Sequence, residues 1–111
     1  METINAMTAE EIHEIEMIPT TQEELNQIAA DYKVCLRKGG VRPRMQRRDY
    51  RGLDFSGMNF KYACMDYSDF RGAKLDGANF QSAQLMHCDL REVDFSKANT
   101  KHIAFDWSIT K

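Results

Sequence analysis

The chain is poor in the residues that staple, ligate or break structure, with three cysteines, two prolines and one tryptophan in 111 residues. Cys35, Cys64 and Cys88 are odd in number and widely spaced, which argues against a disulfide framework and against the paired spacing of a zinc site. No stretch approaches the ~18 consecutive apolar residues that a membrane span needs. The N-terminus METINAMTAEEIHEIE lacks the basic start and apolar middle of a signal peptide. A cytoplasmic protein without a membrane partner is the expectation. Also missing are a phosphate-binding glycine loop, a metal-ligand spacing and a Ser-His-Asp arrangement, while His13 and His102 read as ordinary surface residues. No catalytic residue, cofactor or metal is therefore expected, and the chain reads as a non-enzyme. At this length one domain with an appendage is the limit.

The charges are segregated. Met1 to Tyr32 carries eight acids and no Lys or Arg, whereas Lys33 to Arg48 carries seven bases and no acid, and the whole chain sums to -2. Such polarity means either a partner surface or two segments that attract each other. Thr8-Ala9-Glu10-Glu11 matches a capping box, and Ile12, Ile15 and Ile18 follow at helical spacing until Pro19. A second box, Thr21-Gln22-Glu23-Glu24, precedes Leu25, Ile28, Ala29, Tyr32, Cys35 and Leu36, which recur at i, i+3, i+4, i+7. That helix is acidic at its start and basic at its end, as the macrodipole favours, and Gly39-Gly40 ends it. Residues 1–40 are thus expected as an acidic helical segment, 41–47 as a basic linker and 48–111 as a different unit.

From Arg48 onward the period is five. The central residues run Tyr50, Phe55, Phe60, Met65, Phe70, Leu75, Phe80, Leu85, Leu90, Phe95, Thr100 and Phe105, with Thr100 the one lapse that should weaken the last turn of the structure. Two positions earlier stand small or apolar residues such as Ala63, Ala73, Ala78, Ala83 and Cys88; Asp, Asn, Gln and Lys fill most of the gaps, and Gly52, Gly57, Gly72 and Gly77 recur where a corner needs backbone freedom. Neither a helix nor a flat strand places a large apolar residue on one side at every fifth position. Ala78-Asn79-Phe80 and Cys88-Asp89-Leu90 closely match the unit A(D/N)LXX, so the stretch Arg48 to Trp107 resembles the pentapeptide-repeat family. The resemblance implies a mainly β fold, a right-handed quadrilateral β-helix of about three coils, here with one or two N-terminal α-helices.

If one coil is twenty residues, the sequence sorts into four faces. The first stacks Asp49, Asp69 and Asp89 beside Arg51, Arg71 and Arg91, read as solvated ladders of opposite charge. The third stacks Asn59, Asn79 and Asn99, whose amides can bond up the column or to the bends. The fourth presents Cys64, Asp66, Tyr67, Met86, His87, Asp106 and Trp107, with Tyr67, His87 and Trp107 in one column. Exposed aromatic residues beside Met86 suit a protein interface, and the same face is one candidate dock for the second helix. The other is the open N-terminal end of the first coil. At the C-terminal end Ile103, Phe105, Trp107 and Ile109 are left open, and the resemblance implies closure by a twofold homodimer.

These features converge on a protein-binding module. The resemblance implies a modulator of gyrase that occupies a DNA site; small size and charge segregation fit a phage-type inhibitor of host defence such as an anti-CRISPR, in a bacterial or phage-infected cell. The partner is then a nucleic-acid-handling complex. Its expected contacts are Tyr67, Met86, His87, Trp107, Asp66 and Asp106, with the acids Glu10, Glu11, Glu14, Glu23 and Glu24 meeting basic residues of the target. An assembly protein using the aromatic column, or direct nucleic-acid binding through Lys33 to Arg48, are the alternatives.

Overall fold

The repeat acts through the backbone. In the computed structural model, which describes Thr8, Glu11 and residues 16–110, parallel bridges join positions twenty apart. They link Asp49, Asp69, Asp89 and Ile109 on the first face, Asp54 and Lys74 on the second, Asn59, Asn79 and Asn99 on the third, and Cys64, Gln84 and Ala104 on the fourth. One coil therefore has four sides, and the chain stacks three coils.

Each unit closes with a turn, as where Leu53 N donates to Tyr50 O (3.1 Å) and Ala83 N to Phe80 O (3.0 Å). The residue before the centre is Asp or Asn in eight of the twelve units, where its side-chain oxygen braces the same bend. Asp54 Oδ1 accepts from Ser56 N, Asn59 Oδ1 from Lys61 N and Asn79 Oδ1 from Gln81 N. The asparagines of the third face thus bond to their bends. Two residues after the centre the backbone turns left-handed, where glycine is cheapest. Central side chains from Tyr50 to Leu90 fill the prism, and they stack between coils, with Tyr50 4.9 Å from Phe70 and Phe60 5.8 Å from Phe80.

The first face departs from the expectation of solvated ladders. Asp69 and Asp89 are 2 % and 0 % exposed. Each takes a paired contact from the arginine two residues on, Arg71 Nη2 at 2.8 Å and Arg91 Nη2 at 2.6 Å, and diagonal contacts link Arg51 to Asp69 (3.8 Å) and Arg71 to Asp89 (3.5 Å). The carboxylates sink because they also brace the bend, accepting from Arg71 N and Arg91 N. At the outer step, the hydrogen bond from Arg51 holds the Asp49 carboxyl below its ordinary value. Bonds from the serine two residues on lower Asp54 and Asp94 likewise. A carboxyl depressed in the folded chain stabilises it fully above the unfolded value of ~3.9, and that stability is lost as pH falls through the lower folded value. Urea unfolding should therefore show a midpoint that is level from neutral pH to about 5 and declines below about 4. Asp49→Asn should make that decline shallower.

The N-terminal end is closed by several devices. Strand β1, Ile18–Pro19, pairs in parallel with β2, Arg48–Asp49, adding a rung to the first face. Ile18 thus lies on a strand, not on the helix its spacing suggested, because Ile18 N finds Arg47 O at 2.7 Å. Pro19 has no N–H and suits an outermost rung. The Thr8–Glu11 capping box forms, with Glu11 N donating to Thr8 Oγ1 at 3.1 Å; Glu10, Ile12, Glu14 and Ile15 lie outside the described residues. Helix α1, Gln22–Lys38, starts at the Thr21/Glu24 capping box and buries Leu25, Ile28 and Tyr32.

That stripe covers the mouth of the first coil, so the fourth face is not its dock. Tyr32 stacks on Phe60 at 6.0 Å and donates to Lys61 O (2.5 Å). The Gln22 amide imitates a missing rung, donating to Asp54 O and accepting from Asp54 N, both at 2.8 Å. Met45, in the segment expected as linker, is buried and its carbonyl accepts from Tyr50 Oη at 2.6 Å, so the inward column begins one unit before Arg48. Among the described residues no helix is long and apolar enough to cross a membrane.

Among the described residues no element covers the last coil. Phe105 is 45 % exposed and Phe95 and Ile103 are half-buried. At Thr100 the third-face ladder continues, with Phe80 N reaching Asn99 O at 2.8 Å. The gap falls on the second face, where Asp54↔Lys74 has no continuation to Asp94. Its corners are Gly52, Gly57, Gly72 and Gly77 in the first two coils but Glu92 and Lys97 in the third. Lys97 does not adopt the left-handed backbone, and Gly77 N bonds to Lys97 O instead of following the Gly57-to-Asp76 pattern.

Candidate functional site: the aromatic corner

Between the fourth and first faces the corner positions are Arg47, Tyr67, His87 and Trp107, with φ of 57°, 61°, 56° and 60°. A non-glycine residue in this region costs ~1–2 kcal/mol, and the second face uses glycine for the same task. The side chains recover part of that cost by stacking. Tyr67 and His87 lie 5.0 Å apart at 8°, His87 and Trp107 5.3 Å apart at 13°, and the Arg47 guanidinium sits 5.2 Å above Tyr67. Aromatic pairs contribute ~0.5–1.5 kcal/mol and an exposed cation over a ring ~0.5–1 kcal/mol. Over four residues the strain, ~4–8 kcal/mol, is at least as large as the ~1.5–4 kcal/mol that two ring pairs and one cation contact return, so stability alone does not account for the column.

The same face abandons the repeat's own brace. Where other faces carry Asp or Asn before most centres, this one has Cys64, Gln84 and Ala104. Its corner is tied by hydroxyls of the next coil instead, Arg48 N to Ser68 Oγ (3.1 Å) and Cys88 N to Ser108 Oγ (2.9 Å). Asp66 Oδ1 accepts from Met86 N at 2.9 Å, also between coils. Local rules broken on one face, with no matching gain in stability, mark a surface kept for another purpose.

Burial pushes the thiols of Cys64 and Cys88 up, away from the reactive thiolate. Cys64 Sγ accepts from Gln46 Nε2 at 3.0 Å and points its own proton toward Asp66 Oδ2 at 3.5 Å. Among the described residues no group of three or more His, Cys, Asp or Glu is placed to hold a metal. His87 Nδ1 is buried between its neighbours with no hydrogen-bond partner.

Of the residues singled out from sequence, Tyr67, His87 and Trp107 are brought into one stack, with Met86 and Asp66 joined beside it. The Asp106 carbonyl accepts from His87 N at 3.3 Å, leaving its carboxylate exposed on the rim. Glu23 and Glu24 are exposed on the first turn of α1, over the capped end, and Glu11 is exposed in its capping box; Glu24 is also spent on the helix cap. Ile103, Phe105 and Trp107 border the open end, whereas Ile109 is already paired, its carbonyl accepting from Leu90 N at 2.7 Å. Arg47 was missed. Counting twenty residues back from Tyr67 finds it, once the repeat is started at Met45.

The family model for pentapeptide repeats matches in eight copies over residues 46–77, 54–91 and 63–99. Among solved structures, the chain is similar to a pentapeptide repeat protein, Rfr23, from the cyanobacterium Cyanothece 51142. The TM-score is 0.57 at 21 % identity, over 60 % of this chain and 46 % of that one, so the chain spans less than half of that protein. No curated protein matches. At that identity the likeness speaks for the fold alone, a right-handed quadrilateral β-helix. With the five-residue period, the four-sided coils and the repeat model agreeing, the repeat region of this chain, matched over residues 46–99, belongs to the pentapeptide repeat family.

Proposed function

We propose that the protein is a non-enzymatic interaction module that engages a protein partner through the corner of Arg47, Tyr67, His87 and Trp107. The observation that carries this reading is the column itself: four large side chains hold left-handed backbone positions and stack in register, on a face that α1 leaves uncovered. Trp, Tyr, Met and Arg are the residues enriched at interfaces, and Met86 adjoins them. Trp107, 38 % exposed, is the outermost anchor. A truncated interface anchor typically costs ~2 kcal/mol or more, which is at least a ~30-fold loss of affinity. Capture of partner from nuclease-treated lysate should therefore collapse with Trp107→Ala while the circular dichroism spectrum is unchanged; undiminished capture would remove the corner from the account.

The finer reading is a partner that handles DNA, blocked at its nucleic-acid site. What supports it is the exposed acidic rim of the cap, Glu16, Glu23, Glu24 and Asp31. The first-face carboxylates do not contribute, being engaged by arginine. The open end bordered by Ile103, Phe105 and Trp107 supports pairing of two chains there. Because the opposite end is capped by β1 and α1, such pairing closes at two copies and does not grow into a filament.

A further inference from the structure

Where this chain uses arginine for structure, it pairs it. Among the described residues every ion pair lies on the first face, between Arg51, Arg71 or Arg91 and Asp49, Asp69 or Asp89. The seven bases from Lys33 to Arg48 are treated differently. Arg48 donates to Arg44 O (2.5 Å) and Thr20 Oγ1 (3.2 Å), Arg42 donates to Tyr62 O (3.3 Å) and lies 5.6 Å from the Tyr32 ring, and Arg47 rests on Tyr67. All these partners are neutral, so no ion pair among the described residues engages these three arginines. No carboxylate of the described residues pairs with Lys33, Arg37, Lys38 or Arg44, all of them exposed. The macrodipole of α1 accounts for Arg37 and Lys38 in part, but not for Arg44 and Arg47 beyond the helix.

The fold gathers these groups at the capped end. Arg42 and Arg44 line one cleft with Gln46 and Cys64, and Arg44 and Arg47 line the adjoining one with Ile18 and Pro19, where Glu16 is near without forming an ion pair. Five of the seven bases are arginine, whose planar fork matches phosphate oxygens. They are strung along the end of α1 and the segment after it, not focused into a single pocket, an arrangement that suits a chain of regularly spaced charges. Tyr62, 52 % exposed, sits beside Arg42 with Lys61 over its ring, adding an aromatic surface to the same patch. We infer that the capped end of this protein is a sequence-independent binding surface for the phosphate backbone of nucleic acid. It is separate from the partner-binding role of the corner, with Arg47 alone common to both.

The test is fluorescence anisotropy of the full chain with a labelled oligonucleotide of ~20 nucleotides, single-stranded and duplex, across a salt series. Log affinity should fall linearly with log salt, with a slope near -0.9 per phosphate contact on duplex. The triple variant Arg37→Gln, Lys38→Gln, Arg44→Gln should bind at least tenfold more weakly at ~50 mM salt with a slope about two to three units shallower. Lys74→Gln with Lys101→Gln, on the prism, should change neither, and Trp107→Ala should bind the oligonucleotide as the native chain does. Absence of binding at ~50 mM salt overturns the inference, as does equal binding by the triple variant. Polyglutamate or anionic phosphatidylglycerol vesicles competing as well as the oligonucleotide at equal charge would also overturn it, by assigning the patch to an acidic protein or a membrane surface.

Discussion

Phe80→Ala is expected to lower stability by ~3–5 kcal/mol, the range for deleting a fully buried phenyl group. Phe80 is 0 % exposed in the middle coil and lies 5.8 Å from Phe60 and 6.0 Å from Phe55, so the cavity would open where the first and middle coils pack together. The polypeptide cannot collapse to fill it, because Phe80 N and Ala83 N remain tied to Asn99 O and Phe80 O. Each kcal/mol shifts the melting temperature of a domain this size by ~4–8 °C, so calorimetry resolves the loss easily. Phe105→Ala is the control: at 45 % exposure on the open end it should cost under ~1.5 kcal/mol in the monomer. A larger, concentration-dependent loss there would instead support the paired end.

Asp89→Ala is expected to cost ~2–3 kcal/mol, which separates the buried staircase from an ordinary surface ladder. The Asp89 carboxylate accepts from Arg91 N (3.2 Å), Nε (2.9 Å) and Nη2 (2.6 Å), and Arg71 Nε approaches it diagonally at 3.5 Å. Arg91 is about a third exposed, so water compensates part of the loss and the estimate stays below that for a fully enclosed pair. Asp89→Asn keeps an oxygen for the bend but removes the charge, and should fall between alanine and the native residue. At the outer step Asp49, 29 % exposed, should cost under ~1 kcal/mol. Equal losses at Asp49 and Asp89 in urea unfolding would mean that burial does not set the scale.

Much of this was legible in the sequence because the governing signal is periodic. A large apolar residue every fifth position, with Asp or Asn before it, specifies both the inward side and the brace of each bend, and the twenty-residue bridges follow. The helix Gln22–Lys38 was equally plain from its capping box and stripe. What pattern alone could not settle was where that stripe seats. The face and the coil end were both apolar candidates, and the decision lies in a long-range match, the Gln22 amide against Asp54, which no local rule encodes. Ile18 misled for a related reason, since its helical spacing was outweighed by a backbone partner at Arg47. The depth of Asp69 and Asp89 was hidden because a charged residue usually reads as solvated. The aromatic column was visible by counting twenties, but its strained backbone and the loss of the Asx brace beneath it appear only in three dimensions.

The central claim is that the corner column is kept for binding and adds little to stability. The direct measurement is urea unfolding of His87→Gly beside the native chain. Glycine removes two ring contacts and gains unfolded-state freedom, but it relieves the left-handed strain at φ 56°. The account predicts a net change of about 1 kcal/mol or less with an unchanged slope. A loss of ~3 kcal/mol or more, on the scale of a core phenylalanine, would contradict it and make the column a structural spine.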